Sequence, residues 1–80
     1  MKLPRDIGGH ELARLLARYG YRVTHQTGSH LRLTTELSGI HHVTIPAHRA
    51  LRVGTLSAIL AEVAAHLQRE KTAVMHELWG

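Results

Sequence analysis

The 80-residue chain has no cysteine and no phenylalanine, and holds only two prolines, one tryptophan and two tyrosines. Without cysteine there is neither a disulfide framework nor a thiolate zinc site, and the compartment that fits is a reducing cytoplasm. The N-terminal MKLPRDIGGHE carries no apolar run of the length a signal peptide needs, and the apolar stretches further on are amphipathic, so no membrane partner is expected. Acidic residues are scarce and scattered, six in all, which leaves no clustered carboxylates to bind a metal. Nor is there an internal repeat, a low-complexity tract or a linker. These limits leave one small domain, residues 1–80, with a thin core.

What is present is arginine. It supplies eight of the ten basic residues, and the formal net charge is +4. The guanidinium fork pairs bidentately with anionic oxygens, so this composition suits phosphate contact. Residues 1–60 hold eight basic and three acidic side chains, whereas residues 61–80 hold two and three. The basic body is therefore the candidate nucleic-acid surface, with Arg14, Arg18, Arg22, Arg32, Arg49 and Arg52 supplying most of its field.

Hydrophobic periodicity gives the order of elements. Leu12, Leu15, Leu16 and Tyr19 make one helical stripe, preceded by Gly8-Gly9 and closed by Gly20. Tyr21–Gln26, His30–Glu36 and His41–Pro46 each alternate with strand period, separated by Thr27-Gly28-Ser29 and by Leu37-Ser38-Gly39. Leu56, Ile59, Leu60, Val63 and Leu67 form a second helical stripe, with Thr55 as its expected N-cap. The prediction is an α+β domain of order α-β-β-β-α, a three-stranded antiparallel meander with two helices on one face. Its other face, bearing Arg22, Thr24, Gln26, His30, Arg32, Thr34, His42 and Thr44, is left polar. His25 alternates with Tyr21 and Val23 and is expected in the core, while His10, His66 and His76 are expected on helix surfaces. His41 and His42 are neighbours and must point to opposite faces. Val74, Met75, Leu78 and Trp79 continue a helical stripe with no Gly or Pro between residues 55 and 79, so residues 67–80 are expected to form a helical extension that runs on from the second helix or bends near 69–72. That stripe is expected to be buried against protein, by folding back on its own domain, by meeting its copy in a homodimer or by receiving a partner. A straight continuation would carry it past its own sheet, which favours the homodimer.

Three motifs in this order, GSH (Gly28–His30), VTIPAH (Val43–His48) and GTLSAIL (Gly54–Leu60), resemble the HicA-type toxins. The opening LPRDIGGHELARLLARYGY is also similar to that family's first helix, so the resemblance spans residues 3–66. It implies a fold like a double-stranded-RNA-binding domain, messenger-RNA cleavage without a cofactor, and neutralisation by a HicB-like antitoxin. On this chain it implies His30 as the catalytic residue, Gly28 as the glycine of the same motif, and His48 as an auxiliary. The chain departs from the family pattern in having little aromatic surface, with Leu31 where many relatives carry a larger residue, and in its C-terminal extension.

The implied chemistry suits the residues. RNA carries its own nucleophile, the 2′-hydroxyl, and an ordinary imidazole titrates at about pH 6.5, where it can take or give the proton. No metal is then needed, and a His30, His42 and His48 site lacks any accompanying carboxylate or thiolate. Arg32, two residues on from His30 and on the same face, is placed to neutralise charge growing on the phosphate. Two other readings share the fold: a non-catalytic RNA-binding module, and a degenerate toxin serving as a protein-interaction module.

Overall fold

The computed structural model describes residues 3–80. The order is α1 (Gly9–Leu16), a single 3-10 turn (Ala17–Tyr19), β1 (Arg22–Gln26), β2 (His30–Thr35), β3 (His41–Pro46), α2 (Val53–Leu67) and α3 (Lys71–Trp79). The strands form an antiparallel sheet of order β1-β2-β3. α1 packs across all three strands and α2 against β3, so one face is covered. None of the described helices is long and apolar enough to cross a membrane.

The alternation along β2 and β3 decides which face is which. Leu31 pairs with Ile45 and Leu33 with Val43, and all four are buried beneath the helices. The same register sets His30 against Pro46, Arg32 against Thr44 and Thr34 against His42 on the open face. Leu12, Leu16, Leu56, Leu60 and Val63 fill the helical side of the core.

Two glycines let the layers meet. Gly20 ends the α1 segment at φ 82°, a left-handed conformation that costs other residues dearly. Gly9 opens α1 directly against the end of β3, donating to the His48 carbonyl at 3.0 Å. A Cβ at Gly9 would lie 2.1 Å from the Pro46 carbonyl oxygen, which no real contact allows.

Four expectations are corrected. β1 does not alternate regularly: a β-bulge between Val23 and His25 sets Val23 against Leu33 but His25 against Arg32. The extra residue shifts the parity of the strand: His25 lies exposed on the open face rather than in the core, and Gln26, expected on the open face, is set against the inward-facing Leu31. α2 starts at Val53, two residues before Thr55, because Leu56 N–H already bonds the Arg52 carbonyl at 2.9 Å; no side chain caps it. His66 is not simply a surface residue. Its ring stacks on His41 at 4.5 Å between centroids, and its Nε2 lies 2.8 Å from the Leu37 carbonyl.

The C-terminal extension is helical as expected, and the fourth correction concerns only the favoured straight run into a homodimer. Gln68 takes the left-handed conformation (φ 56°) and caps α2, with Arg69 N–H bonded to the Ala64 carbonyl at 2.9 Å. The chain then turns back, and α3 buries Val74 and Met75 in the molecule's own core, with Leu78 and Trp79 packed at its edge. The apolar stripe on which a homodimer was expected is therefore already covered within one chain. A polar network fixes the return: Glu77 Oε1 accepts from Tyr19 Oη at 2.5 Å and from Arg69 Nη1 at 2.6 Å, while Arg18 donates to the Glu77 carbonyl. Arg69 and Tyr19 hold the Glu77 carboxyl down at about 2. Burial, and then Glu77, push the Tyr19 hydroxyl up to about 12.

Candidate functional site

The site begins at the β1–β2 turn. Thr27 N–H bonds the His30 carbonyl at 3.0 Å, and the Thr27 hydroxyl accepts from His30 N–H at 3.1 Å and more weakly from Ser29 N–H at 3.4 Å. One threonine thus locks both sides of the turn. From the other flank, Ala47 N–H bonds the Ser29 carbonyl at 2.9 Å, tying the exit of β3 to the same turn. His30 is exposed, and its Nδ1 lies 3.1 Å from Ser29 Oγ. That contact occupies one ring nitrogen and leaves Nε2 to the solvent. The backbone, not a pocket, holds this imidazole.

Gly28 sits at the crest of the turn. Its φ is not positive, and a Cβ there would meet nothing within 4 Å. Neither conformation nor packing in this molecule demands glycine at that position.

Behind the turn, the open face is arranged in rows across the sheet. Arg32 stands between His25 of β1 and Thr44 of β3. The next row is a hydroxyl chain: Thr24 Oγ1 to Thr34 Oγ1 at 2.7 Å, and Thr34 Oγ1 to His42 Nδ1 at 2.8 Å. It closes the site on the side away from the turn and absorbs His42 into a structural network. Arg22, paired with Thr34, adds a cation at that end. His48 and Arg49 follow β3 in the exposed loop that starts beside the turn.

The remaining nominated residues lie elsewhere. Arg14 and Arg18 belong to the helical layer on the far side of the sheet, and Arg18 is engaged by the Glu77 carbonyl. Arg52 precedes α2 in the same layer. Thus Gly28, His30, Arg22 and Arg32 share one surface, His48 and Arg49 border it, and Arg14, Arg18 and Arg52 do not join it. Sequence reasoning placed Thr24, Thr34 and His42 on this face but missed the hydrogen bonds that join them, the Ser29 contact to His30 and the outward His25. A register argument could not have found the last, because nothing in YRVTHQ marks which residue bulges. Among the described residues, no three His, Asp or Glu side chains are grouped so as to hold a metal ion.

The family model for the HicA toxin of bacterial toxin–antitoxin systems matches residues 9–64. The chain belongs to the HicA toxin family. No curated protein and no solved structure matches it. The matched span runs from the first residue of α1 into the last turn of α2, so it includes the whole His30 face and leaves α3 outside. As a HicA toxin, the chain is one half of a toxin–antitoxin pair and has an antitoxin for a partner.

Proposed function

We propose that the toxin is a metal-independent endoribonuclease that cleaves messenger RNA, with His30 as an acid–base catalyst. The observation that carries this reading is the placement of His30: a solvent-facing imidazole beside Ser29 Oγ, on a backbone N–H held by the Thr27 hydroxyl, with Arg32 two residues on along the same face.

The geometry supports the following division of labour. The RNA backbone lies across the open face. His30 Nε2 exchanges the proton needed for attack of the 2′-hydroxyl on the adjacent phosphorus, a contribution worth roughly 10²–10⁴ in rate. Arg32 faces the same phosphate and stabilises the charge that builds on its non-bridging oxygens. Gly28, bare of side chain and in open space, lets the phosphate come against the backbone of the turn. Arg22 and Arg49 extend the positive field to flanking phosphates. A HicB-like antitoxin silences the toxin, and the setting is the cytoplasm, where the substrate is.

Purified toxin freed from its antitoxin is tested on a synthetic RNA. Cleavage is expected to continue in EDTA, to vanish in His30→Ala with an unchanged circular-dichroism spectrum, and to fail on RNA with a 2′-deoxy at the scission site. A fully active His30→Ala variant would remove His30 from the mechanism. Tight RNA binding with no cleavage by the wild type would leave a binding module.

A further inference from the structure

Transphosphorylation of RNA needs two proton transfers, one from the 2′-hydroxyl and one to the departing 5′-oxygen. They occur on opposite sides of phosphorus, so a single fixed ring serves one of them well and the other poorly. The β-bulge in β1 supplies a second imidazole. Because Thr24 and His25 together oppose Arg32, His25 is carried onto the open face beside Arg32 rather than under the helices. Arg32 is two residues from His30 on β2, which makes His25 and His30 diagonal neighbours across the β1–β2 pair, a relation that spans about 7–8 Å. Long side chains reach across that distance, and a phosphate held by Arg32 would lie between the two rings. Thr44 completes this row on β3, and Arg22 and His42 are the titratable or charged groups of the row behind.

We propose that His25 is a second catalytic residue, the general acid that protonates the leaving 5′-oxygen, while His30 is the base. This rests on the ribonuclease reading above. Neutral His30 with Nδ1–H donated to Ser29 Oγ keeps the Nε2 lone pair for the 2′-hydroxyl proton. The O2′–P bond forms and the P–O5′ bond breaks. The 2′-hydroxyl proton goes to His30, and the proton of imidazolium His25 goes to the 5′-oxygen. The products are a 2′,3′-cyclic phosphate and a 5′-hydroxyl, with no oxidant, metal or co-reactant. His25 is exposed, so water restores its proton, and return of the His30 proton to solvent completes the cycle.

The test compares His25→Ala, His25→Gln and His30→Ala on two RNAs that differ only at the cut, one natural and one with a 5′-bridging phosphorothiolate, whose thiolate leaves without protonation. On natural RNA, His25→Ala and His25→Gln are expected to lower kcat roughly 10²–10⁴-fold with KM little changed, and to lose one limb of the bell-shaped pH–rate profile. On the phosphorothiolate most of that deficit should disappear for the His25 variants and persist for His30→Ala. His25 variants that cleave natural RNA at the wild-type rate, or whose deficit the thiolate leaving group does not reduce, overturn the proposal while leaving His30-dependent cleavage intact. A folded wild type that cleaves no RNA overturns the ribonuclease reading and this proposal with it.

Discussion

Leu31 and Leu33 are fully buried, whereas His30 and Arg32, their alternate neighbours on the same strand, stand in solvent. The two faces of β2 therefore do different jobs with interleaved residues. The inner face carries stability, because each leucine removed from water there contributes about 1.5–3 kcal/mol. The outer face contributes little burial and is free to present an imidazole and a guanidinium. It follows that substitutions one residue apart should separate folding from activity.

The largest expected effect is on the inner face. Leu33→Ala leaves a cavity beneath α1 that a thin core cannot close, and should cost about 2–5 kcal/mol. For a domain whose whole stability is of order 5–15 kcal/mol, that is a large fraction. Urea unfolding should show the midpoint falling with the slope unchanged. A shift below ~0.5 kcal/mol would mean that the two faces do not differ as described.

The outer-face counterpart is Arg32→Ala. Its stability should stay within about 0.5 kcal/mol of the wild type, since an exposed strand residue is removed. Cleavage of RNA should nevertheless fall roughly 10²–10³-fold, the usual cost of losing a donor aimed at developing charge. A variant that loses stability and activity in proportion would assign Arg32 to the fold.

How much of this was legible follows from which interactions are local. Strand alternation in HLRLTT and HHVTIP, and the helical stripe through Leu12 and Leu16, are properties of single segments, and they place the sheet, its covered face and the order of elements. The TGSH turn was legible for the same reason. The β1 bulge was not, because the choice of unpaired residue is made by pairing with β2, not by YRVTHQ itself; hence His25 was assigned to the wrong face. The α2–α3 break was legible only as one of two alternatives, a bend near 69–72 or a straight run, and nothing local chose between them. Gln68 supplies a left-handed cap without glycine at a cost of roughly 1–2 kcal/mol, a cost offset only when Val74 and Met75 reach the core.

The helical layer sharpens the contrast through pH. Glu77 titrates at about 2, below its ordinary 4.5, because Arg69 and then Tyr19 donate to its carboxylate. A carboxyl depressed on folding stabilises fully above its unfolded pKa, and this is lost as pH falls through the folded value. Glu77→Gln should therefore melt lower than the wild type at pH 7, and the gap should close as pH drops from 4.5 toward 2. Salt should narrow it as well, since the Arg69 and Glu77 side chains are 36 % and 39 % exposed. A gap independent of pH would show that the network does not hold α3 electrostatically.

At Gly28 no loss of stability is expected at all, and this position bears most directly on the open face. Gly9 and Gly28 look alike in sequence, but only Gly9 is fixed by the fold, through its approach to the Pro46 carbonyl. Gly28 has no positive φ, and empty space where a Cβ would stand. An alanine there meets no neighbour and restricts the unfolded chain, so Gly28→Ala should leave stability unchanged or raise it by about 0.4–1 kcal/mol. If the turn receives a phosphate, the added methyl occupies the approach, and RNA affinity and cleavage should both drop although the protein is no less stable. Melting curves beside fluorescence-anisotropy titration of a 2′-deoxy RNA analogue separate the two quantities. Unchanged affinity would mean that the backbone at Gly28 is not where the RNA comes closest, and would move the docking surface along the sheet toward Arg22 and the Thr24–Thr34–His42 row.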